Sequence, residues 1–158
     1  MTLLLVQHGK NLPREKDPEK GLSPEGRQDV ERIAGILRSY RVPVDEIWHS
    51  GLKRARETAE IFAAYLGKTI EPLKKDGLAP LDDVTALDPV DCENLMIVGH
   101  LPFLERLVSF LVAGSPDRPP VVKFQNSGII ALDNNDDAGA WYIKWTLFPD
   151  IAPRRADE

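Results

Sequence analysis

Two histidines in opposite halves of the chain each follow a run of strand-forming residues and precede a turn. His8 stands in VQHGK at 6–10 and His100 in IVGHLP at 97–102. In an α/β protein that position is the carboxyl edge of the sheet, where ligands bind. Gly9 after His8 and Gly99 before His100 allow a sharp turn and a close approach of the backbone to a ligand. Between them LKRARET at 52–58 supplies cations just after Ser50 and Gly51, which close a strand and open a helix. Arg54 then falls in a first helical turn, whose free N–H groups and dipole already favour an anion that a guanidinium can grip in a planar fork. Two imidazoles and an arginine at one sheet edge point to phosphoryl transfer through a histidine.

Further side chains are candidates for the same site. Lys53 and Arg56 flank Arg54, and Lys10 and Arg14 lie just beyond His8. Asp82 and Asp83, after LAPL at 78–81, sit in a loop from which a carboxyl group can protonate a leaving group, provided its pKa is raised. Ser127, after FQN, and Asn11, just past the His8 turn, are hydrogen-bond donors for an anion. His49 also ends a strand, and an alternative reading brings His8, His49 and His100 together on zinc. No carboxylate or cysteine is spaced to complete or orient such a site, and the HExxH and HxxEH patterns are absent.

The elements that must carry these residues follow from periodicity. LLLVQ at 3–7 is a nearly continuous apolar run, as for a strand covered on both faces. Ser23 as N-cap, Pro24 at the first helical position, and Val30, Ile33, Ala34 and Leu37 at helical spacing predict a first helix. A strand at 44–48 and an amphipathic helix at 52–66, ending at Gly67, come next. A third strand is expected at 69–73, a loop with a short helix at 76–91, a strand at 94–98, and a helix at 101–112 with Pro102 in its first turn. After Gly114 the segments 121–124, 127–132 and 141–147 all read as strands, the last two joined as a hairpin across the polar turn at 134–139. The fold class expected is α/β, a three-layer α/β/α sandwich with a mostly parallel central sheet and an antiparallel edge strand.

With 158 residues, 42% of them hydrophobic, the chain can build one core, and a single domain is expected over 1–152 with a disordered tail at 153–158. No stretch approaches the ~20 apolar residues of a membrane span, and MTLLLVQHGK has neither basic leader nor cleavage pattern. One cysteine, Cys92, excludes an internal disulfide framework and fits a reducing cytoplasm. The net charge of −5 and a pI near 5.3 argue against broad nucleic-acid binding. A cytoplasmic protein with neither nucleic acid nor membrane as partner is expected.

Taken in order, QHG at 7–9, LSPEG at 22–26, SGLKRARET at 50–58, LAPLDDV at 78–84, VGHLP at 98–102 and FQNSGI at 124–129 resemble the motifs of the histidine phosphatase superfamily, the phosphoglycerate-mutase-like fold. The resemblance spans nearly the whole chain and is strongest to the short SixA-type phosphohistidine phosphatases. It implies that His8 is the nucleophile that becomes phosphorylated, that His100 hydrogen-bonds a phosphoryl oxygen, and that Arg54 binds phosphate. Asp83 lies where short members carry an acidic residue. The implied substrate is a phosphohistidine-bearing phosphotransfer domain, with a small phosphoester as the alternative, and no metal or cofactor is required. One position departs: the first motif of the family is Arg-His-Gly, and here Gln7 replaces the arginine, offering a hydrogen bond but no positive charge. A slow enzyme, or a non-catalytic phosphate-binding module, is the reading that this departure opens, unless Lys10 or Arg14 restores the charge.

Overall fold

Four successive buried residues, Leu3, Leu4, Leu5 and Val6, make β1 (Thr2–Gln7) the centre of the sheet. Leu4 and Val6 pack into a cluster with α1 (Pro24–Ser39) and α2 (Lys53–Leu66), whereas Leu3 and Leu5 pack with α3 (Phe103–Ala113) on the opposite face. This two-sided burial is why the segment reads as a continuous apolar run rather than an alternating one. The computed structural model describes residues 1–67, 69–88, 92–135 and 139–151, so the tail expected at 153–158 lies outside the described residues.

The sheet order is β3 (Leu73–Lys74), β2 (Glu46–His49), β4 (Asn94–Gly99), β1, β5 (Ile129–Asn135), β6 (Ala140–Leu147). β1 to β4 all run parallel, β5 is antiparallel to β1, and β6 is antiparallel to β5. The reversed strand is therefore β5, one in from the edge, while the edge strand β6 again runs with the parallel set. Two layers of helix around a mostly parallel sheet give the expected α/β/α sandwich.

Local signals hold where they are strongest. Ser23 Oγ accepts the N–H of Gly26 at 3.0 Å and Pro24 opens α1, a cap whose loss to alanine typically costs ~1 kcal/mol. Two expectations need correction. The strand expected at 69–73 shrinks to Leu73–Lys74, an exposed pair that meets only the end of β2. Residues 121–124 form no strand, because Pro119 and Pro120 remove two consecutive backbone donors and both sides of β1 are already taken by β4 and β5. Val122 and Phe124 instead pack against the α3-side cluster. No helix among the described residues is long and apolar enough to cross a membrane.

Candidate active site

Parallel pairing of β1 with β4 sets Gln7 opposite Gly99, so the residues that follow each strand meet at the carboxyl edge. The N–H of His8 donates to the Gly99 carbonyl at 3.1 Å, and the His8 and His100 rings lie 5.1 Å apart, tilted by 49°. From β1 the chain continues into a helix on one face of the sheet, and from β4 into a helix on the other. A crevice between diverging connections is where open α/β sheets place their ligands.

The His8 ring is held in one tautomer. Its Nδ1 lies 2.7 Å from the Gly9 carbonyl, which can only accept, so the proton resides on Nδ1 and Nε2 keeps its lone pair. Arg54, in the first turn of α2, donates Nε–H towards that Nε2 at 3.3 Å. The fully buried Thr58 ties the two together, donating to the Arg54 carbonyl at 2.7 Å and accepting the Gly9 N–H at 3.0 Å. From the turn that precedes β5, Asn126 Nδ2 donates to the His8 carbonyl at 3.0 Å. The Ser127 N–H is shared between the carbonyls of Gln7 at 2.9 Å and His8 at 3.3 Å. Ser127 adopts φ 67°, a left-handed conformation that costs a non-glycine residue energy and recurs where a site must be over-determined.

His100 is buried, with Nε2 2.6 Å from Ser50 Oγ and Nδ1 without a hydrogen-bond partner. Burial lowers the His8 pKa from 6.5 to about 4; the Gly9 hydrogen bond opposes this and Arg54 adds to it. Burial, then the proximity of His8 and Arg54, lowers that of His100 to about 3. Both rings are neutral at pH 7, so the Nε2 lone pair of His8 is not protonated there. Unfolded histidine takes its proton near 6.5, so these groups contribute full stability above that pH and lose it as the pH falls towards 4. Ring ¹⁵N shifts followed by NMR should show both histidines still neutral at pH 5.5; a midpoint near 6.5 for either would refute the burial account.

The other candidates divide clearly. Gln7 adjoins the cluster, its Oε1 buried and without a partner. The Ser127 hydroxyl is likewise buried and unpartnered beside the His8 backbone. Asn11 directs its amide N–H to the Leu12 carbonyl at 2.9 Å. Lys10 pairs with Glu25 at 2.7 Å, Lys53 with Asp17 at 2.8 Å, and Arg56 with Glu60 at 3.7 Å. Arg14 lines a cleft together with Arg54. The His49 Nδ1 accepts the Gly51 N–H at 3.1 Å, and among the described residues no group of three or more His, Cys, Asp or Glu could hold a metal ion.

Asp83 lines a cavity of about 270 Å³ with Trp48 and Lys75, to which none of His8, Arg54 and His100 contributes. It is exposed and caps the 3₁₀ turn Val84–Ala86 by accepting from Thr85 N and Oγ1. Those bonds hold its carboxyl below the usual range, the reverse of what a general acid requires. Asp82 accepts from the Ala79 N–H at 2.8 Å and shapes the same loop. Ser50, Thr58 and Asn126 are the site residues that sequence reasoning did not single out. Thr58 lies four positions after Arg54, the spacing that puts both on one helix face, and this was its only signal.

A neutral imidazole lone pair, a second neutral imidazole and a guanidinium at the edge of an α/β/α sandwich define the class of phosphatases built on paired histidines. The sequence profile of the histidine phosphatase superfamily (branch 1) matches residues 3–82, which include His8 and Arg54. The chain belongs to the histidine phosphatase superfamily. Its fold is similar to that of the protein histidine phosphatase SixA complexed with tungstate, at 23% identity and TM-score 0.80, over 95% of this chain and 98% of that one. A provisionally named phosphohistidine phosphatase SixA from Agrobacterium tumefaciens aligns at 24% identity and TM-score 0.74, over 94% and 97%. The phosphoserine phosphatase of Entamoeba histolytica, in complex with 3-phosphoglyceric acid, aligns at 15% and 0.67, over 92% and 95%. A comparison with curated proteins finds no significant sequence match.

Proposed function

We propose that this chain is a single-domain phosphatase that removes phosphoryl groups from histidine side chains of a protein, through a phosphohistidine formed on His8. The observation that carries the reading is the His8 Nε2 lone pair, fixed by the Gly9 carbonyl and facing Arg54 at 3.3 Å. Nε2 attacks phosphorus while Arg54 draws charge off the phosphoryl oxygens. Ser50 Oγ and His100 Nε2 lie 2.6 Å apart; in the tautomer in which the hydroxyl donates, the His100 proton sits on Nδ1, the ring atom with no other partner, and can be offered to the anion. Water then releases phosphate from His8.

The leaving group separates the two substrate classes. Among the described residues the charge that acts on both the His8 and the His100 ring is that of Arg54, with no carboxylate beside it. An alkoxide departing from a phosphoester needs a proton donor at that point. A phosphohistidine whose ring already carries a proton departs as a neutral imidazole and needs none, which favours the protein substrate. The relative named protein histidine phosphatase supports the same class.

Rapid quench of the enzyme during turnover of a ³²P-labelled phosphohistidine protein should trap an adduct that is labile in acid and stable in alkali. Steady turnover with no such adduct would overturn the covalent route. Turnover of small phosphoesters in preference to the protein would overturn the substrate class.

A further inference from the structure

Beside Arg54 opens a cleft of about 390 Å³ between the loop at 14–20 and the first turn of α2, lined by neither His8 nor His100. Arg14, Lys20, Lys53 and Arg54 line it, against one carboxylate, Glu19. In a chain of net charge −5 this is a marked local excess of cations.

The four cations are not equivalent. Lys53 is held by Asp17 at 2.8 Å, with Glu19 at 3.9 Å, and Arg54 is turned to His8. Asp17 also accepts the N–H groups of Gly21 and Glu19, so the Lys53 pair latches the loop to α2. Lys20 sits on that latched loop at φ 52°, its N–H bonded to the Asp17 carbonyl, which sets its side chain at the cleft. Arg14 and Lys20 make no side-chain hydrogen bond or ion pair among the described residues.

We infer that this cleft is a second anion subsite, in which Arg14 and Lys20 receive an acidic side chain close to the phosphorylated histidine of a protein substrate. The inference rests on the proposed phosphohistidine-protein activity and adds to it a sequence preference. The transferred phosphoryl group occupies the His8, Arg54 and His100 cluster. A cleft of this size, joined to that cluster through Arg54, takes a further part of the substrate, and its two unpaired cations select an anion there. Exposed charges of this kind act through electrostatic complementarity, so the preference weakens as salt rises.

The test uses the full chain and two peptides bearing a hydrolysis-resistant triazole phosphonate analogue of phosphohistidine, one flanked by aspartates and one by asparagines. Fluorescence anisotropy at low salt should show the aspartate peptide binding about tenfold tighter, a difference of about 1.4 kcal/mol. That ratio should fall towards one in Arg14→Gln and in Lys20→Gln. Equal affinity for the two peptides in the wild type, or a ratio that survives both substitutions, overturns the subsite and leaves the phosphatase reading intact. No binding of either peptide, with aryl phosphate still hydrolysed, removes the peptide substrate and the subsite with it. Competition by 3-phosphoglycerate but not by glycerol 3-phosphate, with no discrimination between the peptides, assigns the second anion to a small molecule and overturns the protein form of the proposal.

Discussion

His8→Ala is expected to abolish the phosphoenzyme and to lower kcat/KM by at least ~10⁴-fold, the scale seen when a covalent nucleophile is removed while the rest of a site persists. The geometry leaves no substitute. The rings of His8 and His100 are 5.1 Å apart, but His100 engages Ser50 and lacks the adjacent Arg54 Nε that faces His8. The side chain is buried, so the variant must first be shown by thermal unfolding to retain its fold, and His8→Gln provides a second variant closer in volume. Quench experiments and steady-state kinetics then decide the matter. Full activity in a folded His8 variant would sink the nucleophilic role.

The second large effect concerns positive charge. Arg54→Ala should cost ~10²–10³ in kcat/KM, the range for one preorganised electrostatic donor. It should fall at the upper end of that range or beyond, because Gln7 brings no cation and Lys10 is occupied by Glu25 at 2.7 Å. Arg54→Lys should recover only part of the loss, since an ammonium cannot reproduce a planar fork. By the same reasoning Gln7→Arg should raise kcat/KM of the wild type by about tenfold. In the Arg54→Ala background it should restore a larger factor, because each guanidinium then replaces the other's missing charge. An unchanged or lower rate for Gln7→Arg in a folded protein would mean that the site is tuned to a neutral group at that position. The buried, unpartnered Oε1 of Gln7 makes that outcome informative, since an arginine there loses the acceptor as well as adding charge.

Much of this site is legible in the chain because its principal groups sit at ends of regular elements. A run such as LLLVQ reads as a strand buried on both faces, and a residue just past such a strand is bound to its carboxyl edge. His8 and His100 therefore declare their edge without any knowledge of the sheet order. Arg54 does so by its place in a first helical turn. The motif order adds the family, through the pattern of short strings rather than through any one of them.

The residues that escaped sequence reasoning act through partners far away in the chain. Asn126 is 118 positions from His8, and Thr58 is 49 from Gly9, so neither side chain carries a local sign of the carbonyl or N–H it serves. Asp83 shows the converse. Its type and loop fit a general acid, but the carboxylate caps Thr85 two residues on, accepting from its N–H and hydroxyl, and those bonds lower its pKa where that role needs it raised. The sequence by itself determined the layers and the edge positions of His8, His100 and Arg54, because periodicity and element ends are local properties. Only the tertiary structure decided which strands are neighbours, and hence that His8 meets His100, that β5 reverses to bring Asn126 and Ser127 under the His8 backbone, and that Lys10 is neutralised by Glu25. Pairing and ion-pair choice are set by long-range packing of the two helical layers on one sheet, and no window of the chain contains both partners.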